Sequence, residues 1–405
     1  MAKVKKGKSK SSSSEATELV TVNLHAKYRP RKIKDYVGQD HIQSMFKGWM
    51  KSGRIPSTLL IHGMTGSGKT SLARLIARYV NCETLDACGK CASCRMDIAN
   101  HPDIIESDMG TKGKIDDVRS LVESARLSPR FRRRVFIVDE AHLMTSQAES
   151  ALLVTTEEPG PQTMWIFCTT DPEKMKDTMR NRCTTVPVKS VDPEVIAERL
   201  AVICEKEGLS VEGKSSAKAL RTIAEYSDGQ MRRAISLLQP IMDRIAGSGG
   251  KLDVDLVNDC FASDPEVQLD EVVVSLLAAW LDFDLHSTIS FVRKAQNPRG
   301  VVAKLRWLIH GLIGHETKTN KFQAAALKLF LGLAAQRKKS KDPITYSLPR
   351  LVYLQRAVND TEIQLNSTSV PPEVLLETNL CALMCELHEG SVKEMKTGSK
   401  KKRDE

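Results

Sequence analysis

Residues 63–70, which read GMTGSGKT, have the composition and spacing of a loop that holds phosphate groups. In such a loop the backbone N–H groups wrap the phosphates, the lysine reaches the β- and γ-phosphate oxygens, and the threonine hydroxyl binds Mg²⁺. Gly63, Gly68, Lys69 and Thr70 occupy the fixed positions. The loop follows a predicted strand and begins a predicted helix, which is the context that this chemistry requires. We therefore predict a site for a nucleotide and Mg²⁺.

Two adjacent carboxylates, Asp139 and Glu140, end a hydrophobic run that reads VFIVDEAH. The first can hold the Mg²⁺ shell, and the second can orient and polarise a water that attacks the γ-phosphate. This pair favours hydrolysis by water over transfer to a small molecule, although a strand-end pair that only faces solvent is the alternative. The next apolar run ends at Thr169, whose hydroxyl is a candidate to contact the γ-phosphate or the attacking water.

Four cysteines follow the loop with the spacing C-x₅-C-x₂-C-x₂-C, at Cys82, Cys88, Cys91 and Cys94. Cysteines so close together do not pair easily as disulfides, and four thiolates complete the tetrahedral shell of Zn²⁺ without leaving a place for water. The segment has almost no apolar residues of its own. We therefore predict a structural zinc site in which the metal replaces a hydrophobic interior.

The other cysteines fall on apolar patterns and are predicted to be buried small residues. They are Cys168, Cys183, Cys204, Cys260, Cys381 and Cys385. The sequence also favours structural roles for His101 and His142.

Strands and helices must alternate in the first half of the chain to position these groups. Short apolar runs recur at 58–63, 103–108, 134–140, 164–170 and 184–188. Helical periodicity between them predicts a doubly wound, mostly parallel sheet, that is, an α/β domain. After residue 190 only helical patterns remain, with an interruption at 246–250, which reads AGSGG.

These patterns divide the chain into segments, and the predicted boundaries are as follows: 1–22, a basic tail without stable structure; 23–189, the nucleotide-binding domain with the zinc module at 82–94; 190–246, a small helical domain; 252–388, a larger helical domain; and 389–405, a second basic tail.

The chain has 405 residues and a formal net charge of +10, and its two tails carry much of the excess. This balance is compatible with a polyanionic partner, and a solvated lysine tail is the alternative. Aromatic residues make up only 5% and do not alternate with basic residues, which argues against base-stacking on an aromatic sheet. No run of eighteen apolar residues and no signal peptide is present, so we predict a cytoplasmic protein without a membrane partner.

Several motifs in this order resemble the gamma/tau subunit family of the bacterial DNA polymerase III clamp loader, which are AAA+ ATPases. They read KYRPRKIKDYVGQDHI, GMTGSGKTSLARLIARYVNC, CGKCASC, VFIVDEAHLM, TTDPEKM, RNRC and GQMRRAISL. The resemblance spans about residues 24–245 and continues more loosely to 388, which is similar to that family's oligomerising collar. Whether the chain is a cellular or a phage version stays open.

The resemblance implies a subunit that uses ATP, with Mg²⁺, to assemble a sliding clamp on primer–template DNA. Its implied partners are other subunits in a homo- or hetero-oligomer, pentameric in that family, together with the clamp, the DNA and a DNA polymerase. The small helical domain then corresponds to the family's lid. The family's zinc module has a longer gap after its first cysteine than the one here.

The resemblance also implies roles for single residues. The segment with Tyr28, Arg29, Pro30 and Val37 corresponds to the one that lies against the adenine. Arg232 corresponds to a sensor arginine of the lid, Thr169 to a sensor on the strand, and Arg182 to an arginine that acts on the nucleotide of the neighbouring subunit. The remaining members of the phosphate loop are Met64, Thr65, Gly66, Ser67 and Ser71.

Two positions depart from the family pattern. Asn181 replaces the serine beside the arginine that acts in trans, and Val154 stands where the family usually has lysine. The family's longer tau form has extensions past the collar that bind the polymerase and the helicase, and we expect none in this chain.

A helix start at 110–121, which reads GTKGKIDDVRSL, offers Lys112, Lys114 and Arg119 as contacts to DNA phosphates. A solvated helix start is the alternative. For the whole chain, two other functions stay open: an AAA+ motor of the branch-migration type, which would need a winged-helix domain at its C-terminus, and a scaffold in which nucleotide binding regulates assembly without hydrolysis.

Overall fold

The computed structural model describes residues 23–261, 264–294, 297–317, 325–337, 347–367, 369–371 and 373–385. The two predicted basic tails, at 1–22 and 389–405, lie outside the described residues.

Five parallel strands form one sheet in the order β2-β3-β4-β1-β5. Their bounds are β1, Thr58–His62; β2, Ile104–Asp108; β3, Arg134–Asp139; β4, Thr163–Thr169; and β5, Thr184–Pro187. His62 is in register with Thr169, and Asp108 with Asp139, so the carboxyl ends of four neighbouring strands meet at one edge of the sheet. The predicted strands and the doubly wound fold are confirmed.

Helices cover both faces of this sheet. They are α1, Leu24–Lys27; α2, Asp40–Ser52; α3, Lys69–Asn81; α4, Ala92–Arg95; α5, Met109–Lys112; α6, Ile115–Ser124; α7, Ser146–Glu157; and α8, Asp177–Arg180, with 3₁₀ turns at Ile33–Asp35, Ile98–Asn100, Ala141–Leu143 and Pro172–Lys174. The apolar stripe of α3, which includes Leu72, Leu75 and Ile76, packs with one face of the sheet, and Ala148 and Leu152 of α7 pack with the other. Strands buried on both sides explain why their sequences read as continuous apolar runs.

Three helices follow the sheet and share a separate core: α9, Pro193–Lys206; α10, Lys214–Tyr226; and α11, Met231–Ser248. The predicted interruption at 246–250 is partly wrong, because α11 continues through Ser248 and ends where Gly249 adopts a left-handed φ of 69°. Gly247 and Ser248 cost little in a last helical turn, whereas a left-handed residue suits the position after it.

The C-terminal part is helical in every described element. Its helices are α12, Val254–Phe261; α13, Pro265–Leu281; α14, Leu285–Lys294; α15, Pro298–Glu316; α16, Ala325–Arg337; α17, Leu348–Ser367; and α18, 373–385. Trp280 on α13 is buried, and its indole N–H donates to the Leu380 carbonyl on α18 at 3.2 Å, which ties the last helix to the first part of the bundle.

The structure corrects one prediction about the cysteines. Cys168 and Cys204 are buried as expected, but Cys385 is exposed near the end of α18. Among the residues that the structure describes, no helix is long and apolar enough to cross a membrane.

Candidate active site

A cavity of about 210 Å³ lies at the carboxyl edge of the sheet. It is lined by loop residues 65–71, by residues 28–30 and 35–37 of the N-terminal segment, by Asp139 and Glu140, and by side chains of the helices that follow the sheet. The candidate adenine contacts Tyr28, Arg29, Pro30 and Val37 are among these residues. The structure thus brings together most of the residues that the sequence singled out for nucleotide binding.

The loop can take its shape because glycine occupies positions at which a side chain would meet neighbouring atoms too closely. A Cβ at Gly63 would lie 2.3 Å from the Val188 carbonyl oxygen, and one at Gly68 would lie 3.1 Å from the ring of Tyr36. Gly68 also has a left-handed φ of 101°, directly before α3 begins at Lys69. The unpaired N–H groups of the first turn of α3 therefore point toward the cavity, where they suit an anion.

Lys69 is held inside the loop. Its Nζ donates to the carbonyl oxygens of Gly63 and Met64, each at 3.0 Å. Burial lowers the pKa of Lys69 from its ordinary value, while the nearby charges of Glu140 and Asp139 act to raise it. Phosphate oxygens at the loop would offer this ammonium group stronger acceptors than the two carbonyls.

Thr70 and Asp139 bring two hard oxygen ligands together at the end of β3. The Thr70 hydroxyl donates to Asp139 Oδ2 at 2.7 Å, and the Glu140 backbone N–H donates to Asp139 Oδ1 at 3.1 Å. A hydroxyl and a carboxylate beside a phosphate loop are the ligands by which proteins commonly hold Mg²⁺ together with phosphate oxygens. The residues present therefore fit Mg²⁺.

Glu140, His142 and Thr169 form a connected group next to Asp139. His142 Nδ1 lies 3.5 Å from Glu140 Oε2 and 3.0 Å from the Thr169 hydroxyl oxygen. That oxygen also accepts the backbone N–H of Asp171 at 3.1 Å. A proton on His142 Nδ1 can be donated either to this hydroxyl oxygen or to the Glu140 carboxylate. Thr169 is fully buried behind Glu140 rather than lining the cavity. The sequence did not single out His142 as a link, because only the folded chain shows what its ring touches.

Arg232 lines the cavity from the first turn of α11, as the sequence predicted for a lid arginine. The structure adds Arg199 on α9 and Tyr36 to the same cavity. Tyr36 is buried, its hydroxyl has no hydrogen-bond partner among the described residues, and burial raises the pKa of that hydroxyl well above its ordinary value. Sequence reasoning missed both residues, and only the proximity of Tyr36 to Val37 in the chain offered a signal.

Arg182 does not line this cavity. It precedes β5, so it lies at the amino edge of the sheet, and β5 alone spans roughly 13 Å at about 3.3 Å per residue. Its guanidinium donates to the Thr178 carbonyl at 2.8 Å and to Glu157 Oε2 at 3.0 Å. Asn181 lies beside it at the end of α8, and Val154, the other departure from the family pattern, is exposed on α7.

The four cysteines Cys82, Cys88, Cys91 and Cys94 form one cluster, with all sulfur atoms within 4.8 Å of one another. Sulfur atoms that share a tetrahedral Zn²⁺ at about 2.3 Å are separated by about 3.8 Å, so the cluster is close to that geometry. Gly89, with a φ of 73°, allows the turn between the second and third cysteines.

Backbone N–H groups already orient three of these sulfurs. The N–H of Cys88 points to the Cys82 sulfur at 3.4 Å, that of Cys91 to the Cys88 sulfur at 3.3 Å, and that of Cys94 to the Cys91 sulfur at 3.4 Å. Such contacts stabilise thiolates, the form in which cysteine binds metals. The donor set fits Zn²⁺, with no place left for a reacting water.

The sheet order, the phosphate loop, the paired carboxylates and the helices that follow define the chain as a P-loop protein of the AAA+ class. Residues 198–241 match a family model described as "RCF1/5-like, AAA+ ATPase lid domain", and residues 38–192 match one described as "DNA polymerase III, delta subunit".

The matches to curated relatives are more specific than the matches to these family models. DNA polymerase III subunit tau of Salmonella typhimurium is 32% identical over 277 residues, which cover 67% of this chain and 41% of the relative. DNA polymerase III subunit gamma/tau of Mycobacterium tuberculosis is 36% identical over 253 residues, 58% of this chain and 43% of the relative. The chain is related to the gamma/tau subunits of DNA polymerase III, and the resemblance inferred from the motifs is confirmed.

The matches span about two fifths of the length of these relatives. Among solved structures, the RuvB Holliday junction branch migration motor of Thermotoga maritima matches with a TM-score of 0.48 and 18% identity, over 62% of this chain and 79% of that chain. We draw no conclusion from a similarity at that level.

Proposed function

We propose that this chain is an ATP-hydrolysing clamp-loader subunit that assembles a sliding clamp on primer–template DNA. One observation carries the proposal. The phosphate loop, the carboxylate pair and Arg232 converge on a single cavity, whereas Arg182 lies at the opposite edge of the sheet. A site divided in this way is complete only when a neighbouring subunit supplies its arginine.

Nucleotide binding uses groups that the fold already positions. The N–H groups of the loop and of the first turn of α3 donate hydrogen bonds to the phosphates. Lys69 exchanges its two carbonyl contacts for phosphate oxygens. Tyr28, Pro30 and Val37 provide a mostly apolar wall for the base. Thr70 and Asp139 would hold Mg²⁺, which would supply neutralisation of the phosphate charge.

For hydrolysis, Glu140 orients the attacking water and takes up its proton. His142, which also contacts Thr169, lies against the Glu140 carboxylate, and Arg232 reaches the phosphates from the lid. The groups that act on the water thus lie at the ends of β3 and β4. The groups that act on the phosphates lie on the loop and the lid.

Arg182 stabilises the transition state of the neighbouring subunit. An arginine supplied in trans is worth about 10³ to 10⁵ in turnover in other nucleotide hydrolases. Hydrolysis therefore depends on assembly, which the C-terminal helices support as a collar. The four cysteines would hold Zn²⁺, which would order the module that follows α3 and supply no reacting group.

The proposed partners are other clamp-loader subunits, a sliding clamp, primer–template DNA and a DNA polymerase, in the cytoplasm. The relatives named as DNA polymerase III subunits support this set. Lys112, Lys114 and Arg119 are exposed around the start of α6, as contacts to a DNA backbone require, although Arg119 also forms an ion pair with Asp116.

The two alternative functions are less well supported. A branch-migration motor with a winged-helix domain would need C-terminal strands, and the described residues after Pro187 contain none. A scaffold without hydrolysis would not need the Thr70–Asp139 contact and Glu140 together at the loop.

The test is ATP hydrolysis by the assembled complex with primed DNA and its clamp, for the wild type, Lys69→Ala and Arg182→Ala. We expect stimulated hydrolysis in the wild type only. Nucleotide binding, measured separately, should be lost in Lys69→Ala and retained in Arg182→Ala. A wild-type complex that turns over no faster than Lys69→Ala would reject the function.

A further inference from the structure

A second cavity lies beside the nucleotide cavity and shares Arg29 and Pro30 with it. It is an open groove of about 910 Å³ between the N-terminal segment, one face of α3, the residues that follow the cysteine cluster, and the carboxyl end of β2 with α5. We name it the arginine groove. It is large enough for a ligand of nucleotide size or more, since ligand pockets commonly measure about 300 to 1,000 Å³.

The groove contains more cations than acids. The cations are Arg29, Arg31, Arg74, Arg78 and Lys112, and the acids are Asp97, Glu106 and Asp108. Two of the acids are already engaged. Glu106 accepts two hydrogen bonds from Arg74, at 2.6 and 2.7 Å, and Asp108 accepts the Gly110 N–H at 2.8 Å.

Two of the cations have no such partner. Arg31 and Lys112 take part in no hydrogen bond or ion pair within the described part of the chain, and both side chains are exposed. Arg78 donates to a neutral acceptor, the Cys94 carbonyl, at 3.1 Å, and the Asp97 carboxylate acts on it as a nearby charge. Gathering these like charges at one groove is unfavourable without an anion, and the planar fork of arginine suits the oxygens of a phosphate group.

The walls indicate what part of a ligand is bound. Leu75, Ile98 and Ile104 line the groove together with the imidazole of His101, and no Phe, Tyr or Trp does. Both ring nitrogens of His101 are engaged, one with the Ser93 hydroxyl at 2.9 Å and one with the Asp103 N–H at 3.1 Å. The groove therefore offers charge for phosphates and no platform for stacking bases.

We propose that the arginine groove binds backbone phosphates of a DNA strand, an inference that rests on the proposed function. DNA is favoured over an acidic protein segment because the groove ends at Lys112, from which the exposed cations Lys114 and Arg119 continue around the start of α6. A strand that crosses this helix start enters the groove next and runs along α3 toward Arg31.

The cysteine module then has a role in this site. Its carbonyl at Cys94 holds Arg78, and residues 97–101, which follow directly, form one wall of the groove. Zinc binding would thus fix a wall of a DNA site that adjoins the nucleotide cavity.

The test replaces Arg31, which touches neither the nucleotide cavity nor the cysteines. Affinity of the assembled protein, with ATP bound, is measured against salt for a primed DNA with a single-stranded template arm, in Arg31→Ala and Arg31→Glu. The matched control is Lys34→Ala, an exposed cation of the same segment that does not line the groove. Inorganic phosphate, ADP and poly-glutamate serve as competitors.

We expect the slope of log K against log salt to fall by about 0.7 in Arg31→Ala, the value for one single-strand phosphate contact, and no change in Lys34→Ala. Arg31→Glu should weaken binding further, with ATP affinity unchanged in all three. Equal slopes in the wild type and both Arg31 variants would overturn the inference while leaving the proposed function intact. The inference would also be overturned if phosphate, ADP or poly-glutamate bound to the groove in a way that depends on Arg31 while DNA did not. A wild type that does not bind DNA at all would reject both.

Discussion

The Arg182 guanidinium is paired with Glu157 on the same subunit, at 3.0 Å. Both side chains are partly or largely exposed, so the pair is worth no more than about 1 kcal/mol. The pair therefore holds Arg182 in place within its own subunit, and the action on a neighbour's nucleotide that we propose for Arg182 would break this pair at small cost.

Replacing Glu157 tests this release. Because Glu157→Gln removes the competing charge, we expect half-maximal ATPase stimulation at a two- to fivefold lower subunit concentration, which corresponds to about 1 kcal/mol at most. The measurement is hydrolysis as a function of subunit concentration. Glu158→Gln, at the neighbouring position that makes no pair with Arg182, is the control. A Glu157→Gln variant as inactive as Arg182→Ala would mean instead that Glu157 itself is needed at the interface.

His142 is expected to act by keeping the side chains of Glu140 and Thr169 in their relative positions. His142→Leu removes both contacts of Nδ1, so kcat should fall at least tenfold, a part of the roughly 10²- to 10⁴-fold that a well-positioned base contributes, while ATP affinity stays the same. His142→Asn places an amide near the position of Nδ1 and should recover most of the loss. Equal kcat values for His142→Leu and the wild type would show that the link has no function.

Zinc is expected to stabilise the module after α3. Cys88→Ser should reduce bound zinc below half an equivalent per chain and lower the thermal midpoint, because binding energies of about 10 to 16 kcal/mol per zinc include the ordering of the peptide. Elemental analysis and thermal unfolding measure the two effects. Cys385→Ser changes an exposed cysteine far along the chain and should leave both unchanged. Full zinc content in Cys88→Ser would disprove the four-thiolate site.

Stability is expected to fall below neutral pH, in part through His62. Burial and then the Lys69 charge lower the pKa of His62 in the folded chain, whereas the unfolded chain has a value of about 6.5. Below pH 6.5 the unfolded state therefore binds a proton that the folded state does not, and stability is lost as pH falls toward the folded pKa.

The wild type should accordingly have a lower thermal midpoint at pH 5.5 than at pH 7.5, and His62→Gln should show a smaller difference between the two. His286→Gln, an exposed histidine of α14, serves as the control and should match the wild type. An unchanged pH dependence in His62→Gln would assign the effect to other groups.

The sequence predicted the fold well where local pattern decides it. All five strands lie within one residue of the predicted runs. For β1, β3 and β4 the reason is that a strand buried on both faces must be apolar throughout, whereas β5 is mostly exposed and β2 ends in polar residues. The end of α11 was misplaced because glycine and serine are tolerated in a last helical turn, so their presence does not mark the boundary.

The candidate site likewise contains some residues that the sequence could predict and others that it could not. Lys69, Thr70 and Asp139 belong to compact motifs, and their proximity follows from the parallel order of the strands. Arg199 and Tyr36 reach the cavity only because α9 and the N-terminal segment fold back over the loop. The sequence around Arg199 gives no indication of this, and for Tyr36 only the adjacent Val37 does. The arginine groove likewise joins residues from four separate segments, so no linear pattern could reveal it.

The most direct test of the account mixes two inactive variants. Arg182→Ala lacks the arginine for its neighbour, and Glu140→Gln lacks the group that activates water, so each assembly alone should be inactive. In mixed oligomers with head-to-tail contacts, about one quarter of the sites should combine an intact Glu140 with a neighbour's intact Arg182. We predict that mixing restores hydrolysis to about that fraction of wild type. Activity no higher than the sum of the separate variants, in oligomers shown to have exchanged subunits, would contradict a site shared between neighbours.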